Sequence, residues 1–178
     1  MHGLAAEIAS PSTVQRAVEG DEVAFARIAD AHWAEMARVA YLIVSDWDLA
    51  QDAAQAALLN AWRRLPSLRD HDRLRPWLLA IAANEARTIA RRAHRHPVKE
   101  LRVADDGQVS IGPDAIDDVD LTNALARLDP SDRAIVTLRY LADLDSGEIA
   151  SLTGLSSSGV RTRLTRILDR LRKDLGDE

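Results

Sequence analysis

The stretch Asp145-Ser-Gly-Glu-Ile-Ala-Ser-Leu-Thr-Gly154-Leu-Ser-Ser-Ser-Gly-Val-Arg-Thr-Arg-Leu-Thr-Arg166 decides how the rest of the chain is read. Ile149, Ala150 and Leu152 give a short helix one apolar side, and Gly154 is a residue at ease in a left-handed turn. Ser156, Ser157 and Ser158 offer N-caps to a second helix. Along that helix Val160, Leu164, Ile167, Leu168, Leu171 and Leu175 recur at helical spacing. Thr162 and Arg166 fall roughly opposite this stripe, with Arg161 and Arg163 on its flanks. A short helix, a glycine turn and a longer helix with a basic outer face make a helix-turn-helix pattern, which reads DNA from the major groove. A plain helical hairpin with solvated arginines has the same periodicity.

Working outward, 178 residues accommodate one domain or two small ones. Aromatics are few (4%) while Ala, Leu and Arg are abundant, which favours helices packed through small side chains. The absence of Cys excludes a disulfide framework and a zinc ribbon. The amino terminus lacks the basic region and apolar core of a secretory signal, and no run reaches the roughly twenty apolar residues of a membrane span. These features predict a cytoplasmic protein with no membrane insertion. The net charge of -5 is unevenly spread. Arg87, Arg91, Arg92, Arg95, Lys99 and Arg102 cluster against one acid, Glu100. Asp105, Asp106, Asp114, Asp117, Asp118 and Asp120 follow without a base, and basic residues dominate again after Val160. Two basic helices either side of an acidic connector suggest two contact surfaces on one polyanion.

In chain order, Val14, Ala17 and Val18 predict a short leading helix that ends at Gly20. Asp21 opens a long one carrying Phe25, Ile28, Trp33, Met36, Val39, Ala40 and Ile43. Ser45-Asp46 breaks and recaps the chain, and a further helix runs from about Asp48 to Leu65. After Pro66 a polar loop leads to a helix with Pro76 in its first turn, fading near His96-Pro97. Periodicity is lost from Val98 to Asp120. Beyond it, Leu121 to Leu128 is one helix, and Asp129-Pro-Ser-Asp caps another running from Arg133 to about Leu141. The expectation is an all-α chain: a lead-in over 1–20, a helical domain over 21–97, a flexible acidic linker over 98–120 and a smaller helical domain over 121–178.

The side chains suggest chemistry. Arg161, Thr162, Arg163 and Arg166 can reach DNA together; Arg bonds guanine bidentately, and all four can bind phosphate. Ser156, Ser157 and Ser158 put hydroxyls and backbone N–H groups at the positive end of that helix, suited to a phosphate or to capping alone. Opening a duplex costs stacking energy, which is recovered by holding extruded bases and tracking the backbone with positive charge. Arg69, His71, Arg73 and Arg75 in the loop, with Asn84, Arg87 and Arg91 along the next helix, are candidates for single-strand capture. Trp77 fits a base pocket or the core, and the core reading is favoured, as for Trp33, Trp47 and Trp62. No metal-ligand spacing and no phosphate loop after a strand is found, so the chain is expected not to be an enzyme and to need no cofactor.

In this order the motifs resemble the sigma-70 family, in its extracytoplasmic function group, over about residues 20 to 96 and 121 to 174. Asp21-Glu-Val-Ala-Phe25 resembles the opening of region 2.1. Ala50-Gln-Asp52-Ala-Ala-Gln55-Ala-Ala-Leu-Leu-Asn-Ala-Trp62 is similar to the region 2.2 run, and Arg75-Pro-Trp77-Leu-Leu-Ala-Ile-Ala-Ala-Asn84 to the following Trp-Leu-x-x-Ile-Ala-x-Asn run. Leu128-Asp-Pro-Ser-Asp-Arg133-Ala-Ile-Val-Thr-Leu-Arg139-Tyr140, Glu148-Ile-Ala150 and Val160-Arg-Thr-Arg-Leu164 resemble successive parts of region 4. Gln51 and Ala56 replace acids of the region 2.2 pattern, Leu58 replaces its aromatic, and Ser158-Gly159 stand where Gly-Thr is usual.

The resemblance implies a transcription initiation factor that binds core RNA polymerase and promoter DNA, with an anti-sigma factor as a possible further partner. Asp52, Gln55 and Asn60 would meet the polymerase. Arg69, His71, Arg73, Arg75, Trp77, Asn84, Arg87 and Arg91 would recognise and melt the minus-ten element. Ser156, Ser157, Ser158, Gly159, Arg161, Thr162, Arg163 and Arg166 would bind the minus-thirty-five element. A stand-alone helix-turn-helix regulator, or a sigma-like module that only sequesters a partner, are the other readings.

Overall fold

The computed structural model describes residues 11–95 and 119–175. Among them the chain forms eight α-helices and no strand. The expected linker lies outside the described residues except for Val119 and Asp120, which open a helix. The first unit comprises α1 (Pro11–Val18), α2 (Glu22–Val44), α3 (Trp47–Arg64) and α4 (Leu74–Arg95), with 3-10 turns at Leu65–Ser67 and His71–Arg73. The second comprises α5 (Val119–Ala126), α6 (Pro130–Tyr140), α7 (Ser146–Thr153) and α8 (Ser157–Leu175).

Capping residues place the boundaries. The Asp21 carboxylate accepts from the amides of Val23 and Ala24, and Asp46 accepts from Leu49. Between them Ser45 turns left-handed at φ 56° and donates its backbone N–H to Tyr41 O, so one residue ends α2 and the next starts α3. Asp129 likewise accepts from Ser131 and Asp132. This starts α6 at Pro130, three residues before the predicted Arg133, because the proline itself occupies the first helical position. Similarly, α4 starts at Leu74, ahead of Pro76.

In the first unit α2, α3 and α4 pack against one another, and α1 lies across α2. The buried face of α3 consists of alanines: Ala50, Ala53, Ala54, Ala57 and Ala61. They face Met36, Val39, Ala40 and Ile43 of α2 and the Leu78, Leu79, Ala82, Ala83 and Ala86 stripe of α4, all buried. Methyl-sized contacts let the helix axes approach closely, so the larger side chains gather around this seam. Trp33, Trp47 and Trp77 are partly buried against the core, in keeping with the sequence reading. Trp62 differs: it sits at the rim of the unit, its ring centroid 4.9 Å from that of Phe25.

In the second unit Val160, Leu164, Ile167 and Leu171 of α8 close over Ile135 and Leu138 of α6, Ile149 of α7 and Leu125 of α5. The two units also touch, through α6 against α2 and α4.

Candidate nucleic-acid interface

The helix-turn-helix is built by local chemistry. Asp145 accepts from the amides of Gly147 (2.7 Å) and Glu148 (2.8 Å), and the Glu148 carboxylate accepts from Asp145 N at 2.8 Å. This reciprocal cap makes the Asp143-to-Gly147 approach an ordered helix start rather than the flexible run that its composition suggests. Gly154 ends α7 at φ 76°, its N–H donating to Ala150 O at 2.9 Å. Ser156 then caps α8 by accepting from Gly159 N at 3.0 Å, and its hydroxyl lies 3.1 Å from that of Ser158. A Cβ on residue 159 would meet the Ser156 Oγ at 3.1 Å, so Gly159 leaves room for the cap. Capping is therefore realised at Ser156, and Ser157 and Ser158 form the first turn of α8.

From this turn α8 presents exposed Arg161, Thr162 and Arg166 on its outer side. Thr162 Oγ1 donates to Ser158 O at 3.0 Å, keeping the hydroxyl oxygen turned outward as an acceptor. An open groove of about 700 Å3 runs beside them, walled by Ser156, Ser158, Thr162, Arg163, Arg166, Arg170 and Asp132. Arg163 is placed differently from its neighbours. Its guanidinium turns inward to Asp132 through Nε and lies 3.5 Å from Asp129 through Nη2.

The first unit supplies a second basic surface, and several of its members already hold partners. Arg73 pairs with Glu148 of α7, and Arg75 pairs with Glu35 while donating to Leu141 O at 3.0 Å. Arg87 donates to Leu152 O at 2.8 Å; burial pushes its guanidinium below the ordinary arginine range, with Arg91 and Arg163 adding to the effect. The structure thus gathers Arg73, Arg75 and Arg87 against carboxylate and carbonyl oxygens of the second unit. Arg69, Asn84 and Arg91 are exposed, His71 is half-buried, and Trp77 packs on the core beneath them.

Asp52 and Gln55 stand exposed on α3. Asn60 does not face solvent with them: it donates to Glu85 of α4 at 2.7 Å, tying the two helices. Beside Gln55 opens an apolar cleft of about 360 Å3, lined by Glu22, Phe25, Leu58, Leu59 and Trp62. Leu59 at this cleft is 58% exposed, an apolar surface that sequence reading missed. The signal was the pair Leu58-Leu59 on a helix whose buried residues are all alanine.

Among the described residues no group of His, Cys, Asp and Glu could hold a metal ion, and no helix is long and apolar enough to cross a membrane. The basic, outward α8 and its glycine turn define a helix-turn-helix DNA-binding protein carrying a second helical unit. Two family models match it: Sigma-70 region 2 over residues 28–96, and Sigma-70, region 4 over residues 118–171. The chain belongs to the sigma-70 family, in its extracytoplasmic function group. It is 30% identical over 164 residues to the ECF RNA polymerase sigma factor SigM of Mycobacterium tuberculosis, covering 89% of this chain and 81% of that one. To the probable RNA polymerase sigma factor RfaY of Xanthomonas campestris pv. campestris it is 34% identical over 169 residues, 89% of this chain but 42% of that relative's length. A similar fold, with a TM-score of 0.61 and 21% identity over 82% of this chain and 92% of the other, occurs in the sigma factor RpoE solved with the anti-sigma factor NepR from Bartonella quintana. Sigma factors are non-catalytic transcription factors, and their regions 2 and 4 serve transcription initiation.

Proposed function

We propose that this chain joins core RNA polymerase in the cytoplasm and directs it to promoters whose two elements are met by its two units. One observation carries the reading: a capped helix-turn-helix that turns Arg161, Thr162 and Arg166 outward, on the same chain as a second arginine-rich surface. In this reading α8 enters the major groove of the minus-thirty-five element. Arg166 and Thr162 meet base edges while Arg161 and the Ser157-Ser158 turn hold phosphates. Arg69, His71, Arg73, Arg75, Asn84, Arg87 and Arg91 track the melted minus-ten strand, and Trp77 supports that surface from below. Asp52 and Gln55, with the Phe25–Leu58–Leu59–Trp62 cleft beside them, meet the polymerase; Asn60 positions α3 from within.

Arg73, Arg75 and Arg87 bond to the second unit in the arrangement described, so strand capture requires the two units to part. An anti-sigma factor that holds them together would silence the chain, and a sigma factor of similar fold is solved in complex with an anti-sigma factor.

The test is transcription by purified core polymerase, with and without this protein, on a panel of candidate promoters. Specific initiation only in its presence is the expected result. DNA binding that ignores core and leaves initiation unchanged would instead make it a stand-alone regulator, and core binding without initiation a sequestering module.

A further inference from the structure

The recognition helix carries Arg161, Thr162, Arg163 and Arg166 within six positions, and spacing alone makes all four candidates for DNA contact. The structure separates one from the rest. Val160, Leu164, Ile167 and Leu171 define the buried line of α8. At 100° per residue Arg163 lies only about 60° from Val160, whereas Thr162 and Arg166 lie about 160° and 120° away. Arg163 therefore leaves the helix beside the core, and α6 meets it there. Asp132 and Asp129 stand at the amino end of α6; Arg163 Nε donates to Asp132 Oδ1, and Nη2 lies 3.5 Å from Asp129 Oδ2. Arg161, Thr162 and Arg166 are exposed, while Arg163 is half-buried.

We infer that Arg163 is a positioning residue rather than a base reader: its guanidinium clamps the recognition helix to the Asp129–Asp132 pair of α6. The inference rests on the DNA-binding reading of α8 and deepens it. Two physical consequences give the clamp its purpose. Asp132 is a wall of the groove that runs beside Thr162 and Arg166, and an unpaired carboxylate there would repel a DNA phosphate. Arg163 neutralises that wall. The clamp also fixes the rotation of α8 about its axis, and hence the height at which Thr162 and Arg166 project. Asp129 is at the same time the N-cap of α6, so the cap, the clamp and the reading helix are joined through one pair of acids. Burial, together with the Asp129 charge, holds the Asp132 carboxyl above its ordinary range, and Arg163 pulls against both.

The experiment is a double-mutant cycle of Arg163→Ala and Asp132→Asn, measured in the full chain with core polymerase on duplexes that vary each base pair of the upstream element. Each single change is expected to weaken binding about tenfold, of the order of one lost charged hydrogen bond. The double variant should be no weaker than either single one, and Arg163→Lys should recover part of the loss. The rank order of preferred bases should not change. If Arg163→Ala instead erases the preference at one base pair while Asp132→Asn binds as well as wild type, Arg163 reads a base and the clamp is refuted. A second measurement needs no DNA: NMR titration of the Asp132 carboxyl in the free chain. Arg163→Ala should move it upward, and a carboxyl that does not move overturns the clamp. If wild-type protein fails to bind any promoter with core, yet Arg163→Ala still moves the Asp132 carboxyl upward, the promoter reading falls and the clamp stands.

Discussion

The guanidinium of Arg133, near the start of α6, donates through Nη1 to the hydroxyl of Ser45, the left-handed residue that ends α2. Arg133 is 7% exposed, and its Nε is buried without a hydrogen-bond partner. One hydroxyl therefore holds much of the polar satisfaction of a buried cation and links the two units. Ser45→Gly removes that acceptor while easing the left-handed backbone. It should cost about 1 kcal/mol net, read from urea unfolding, since a lost charged hydrogen bond outweighs the relieved strain. Unchanged stability would show that solvent serves Arg133 equally well.

Arg166→Ala should weaken binding of the upstream element by about 1–3 kcal/mol if it meets a base edge, and should relax the preference at one base pair. Arg161→Ala should weaken all sequences alike and lower the salt dependence of binding. Core polymerase binding, measured alongside, should stay constant for both; a parallel loss there would mean that the fold has been damaged.

Glu148 pairs with Arg73 across the units and also completes the cap of α7. Glu148→Gln keeps the capping geometry and deletes the ion pair. Both partners are more than a third exposed, so the stability cost should stay under about 1 kcal/mol. Small-angle scattering should nonetheless show a larger fraction of chains with separated units, and raised salt should do the same to wild type. A radius of gyration indifferent to both would count against Arg73 being held by this contact.

Leu59→Asp tests the apolar cleft. Because Leu59 is already 58% exposed, folding stability should change by no more than about 0.5 kcal/mol. Affinity for core polymerase should drop at least tenfold, with duplex DNA binding unaffected. Full core affinity in this variant would move the polymerase contact away from the cleft.

Two caps make the protein acid-sensitive. Hydrogen bonds from Ala24 N and from Arg16 hold the Asp21 carboxyl below its ordinary range, and those from Glu148 N and Gly147 N do the same for Asp145. Each folded value lies below the unfolded one, so the stabilisation is complete above the ordinary carboxylate range. It is lost as pH falls through the lowered folded values. Asp145→Asn should flatten the acid limb of a stability–pH curve at the expense of neutral-pH stability; an unchanged limb would clear Asp145 of that role.

Much of the fold was legible because it is written locally. Asp21, Asp46 and Asp129 each announce a helix that starts at the next residue, and Gly154 announces a stop, so boundaries fell within a few positions of expectation. The Asp145–Glu148 cap carries the same kind of signal, within a stretch whose acidic, glycine-containing composition suggests flexibility. What periodicity could not give was the partner on each face. Arg163 meets Asp132 across 31 positions, and Arg73 meets Glu148 across 75. Such pairings depend on how helices cross, which a one-dimensional pattern of apolar residues leaves open. Asn60 shows the same gap: it is polar on a polar side, yet Glu85 of the neighbouring helix claims its amide. Trp62 errs in the opposite direction. Its apolar surface suggested the core, but an alanine seam has no space for an indole, and the ring is displaced to the rim against Phe25.

That seam also sets how α3 can change over generations. Alanine has no side-chain rotamer with which to absorb an added methylene, so Ala53, Ala54, Ala57 and Ala61 admit almost no replacement. One side of the same helix, with Asp52, Gln55 and Leu59, meets only solvent or a partner and can be rewritten at little structural cost. Sequence drift along α3 should therefore run at two speeds. Lineages can retune what the helix grips on its outer side while its inner side stays frozen.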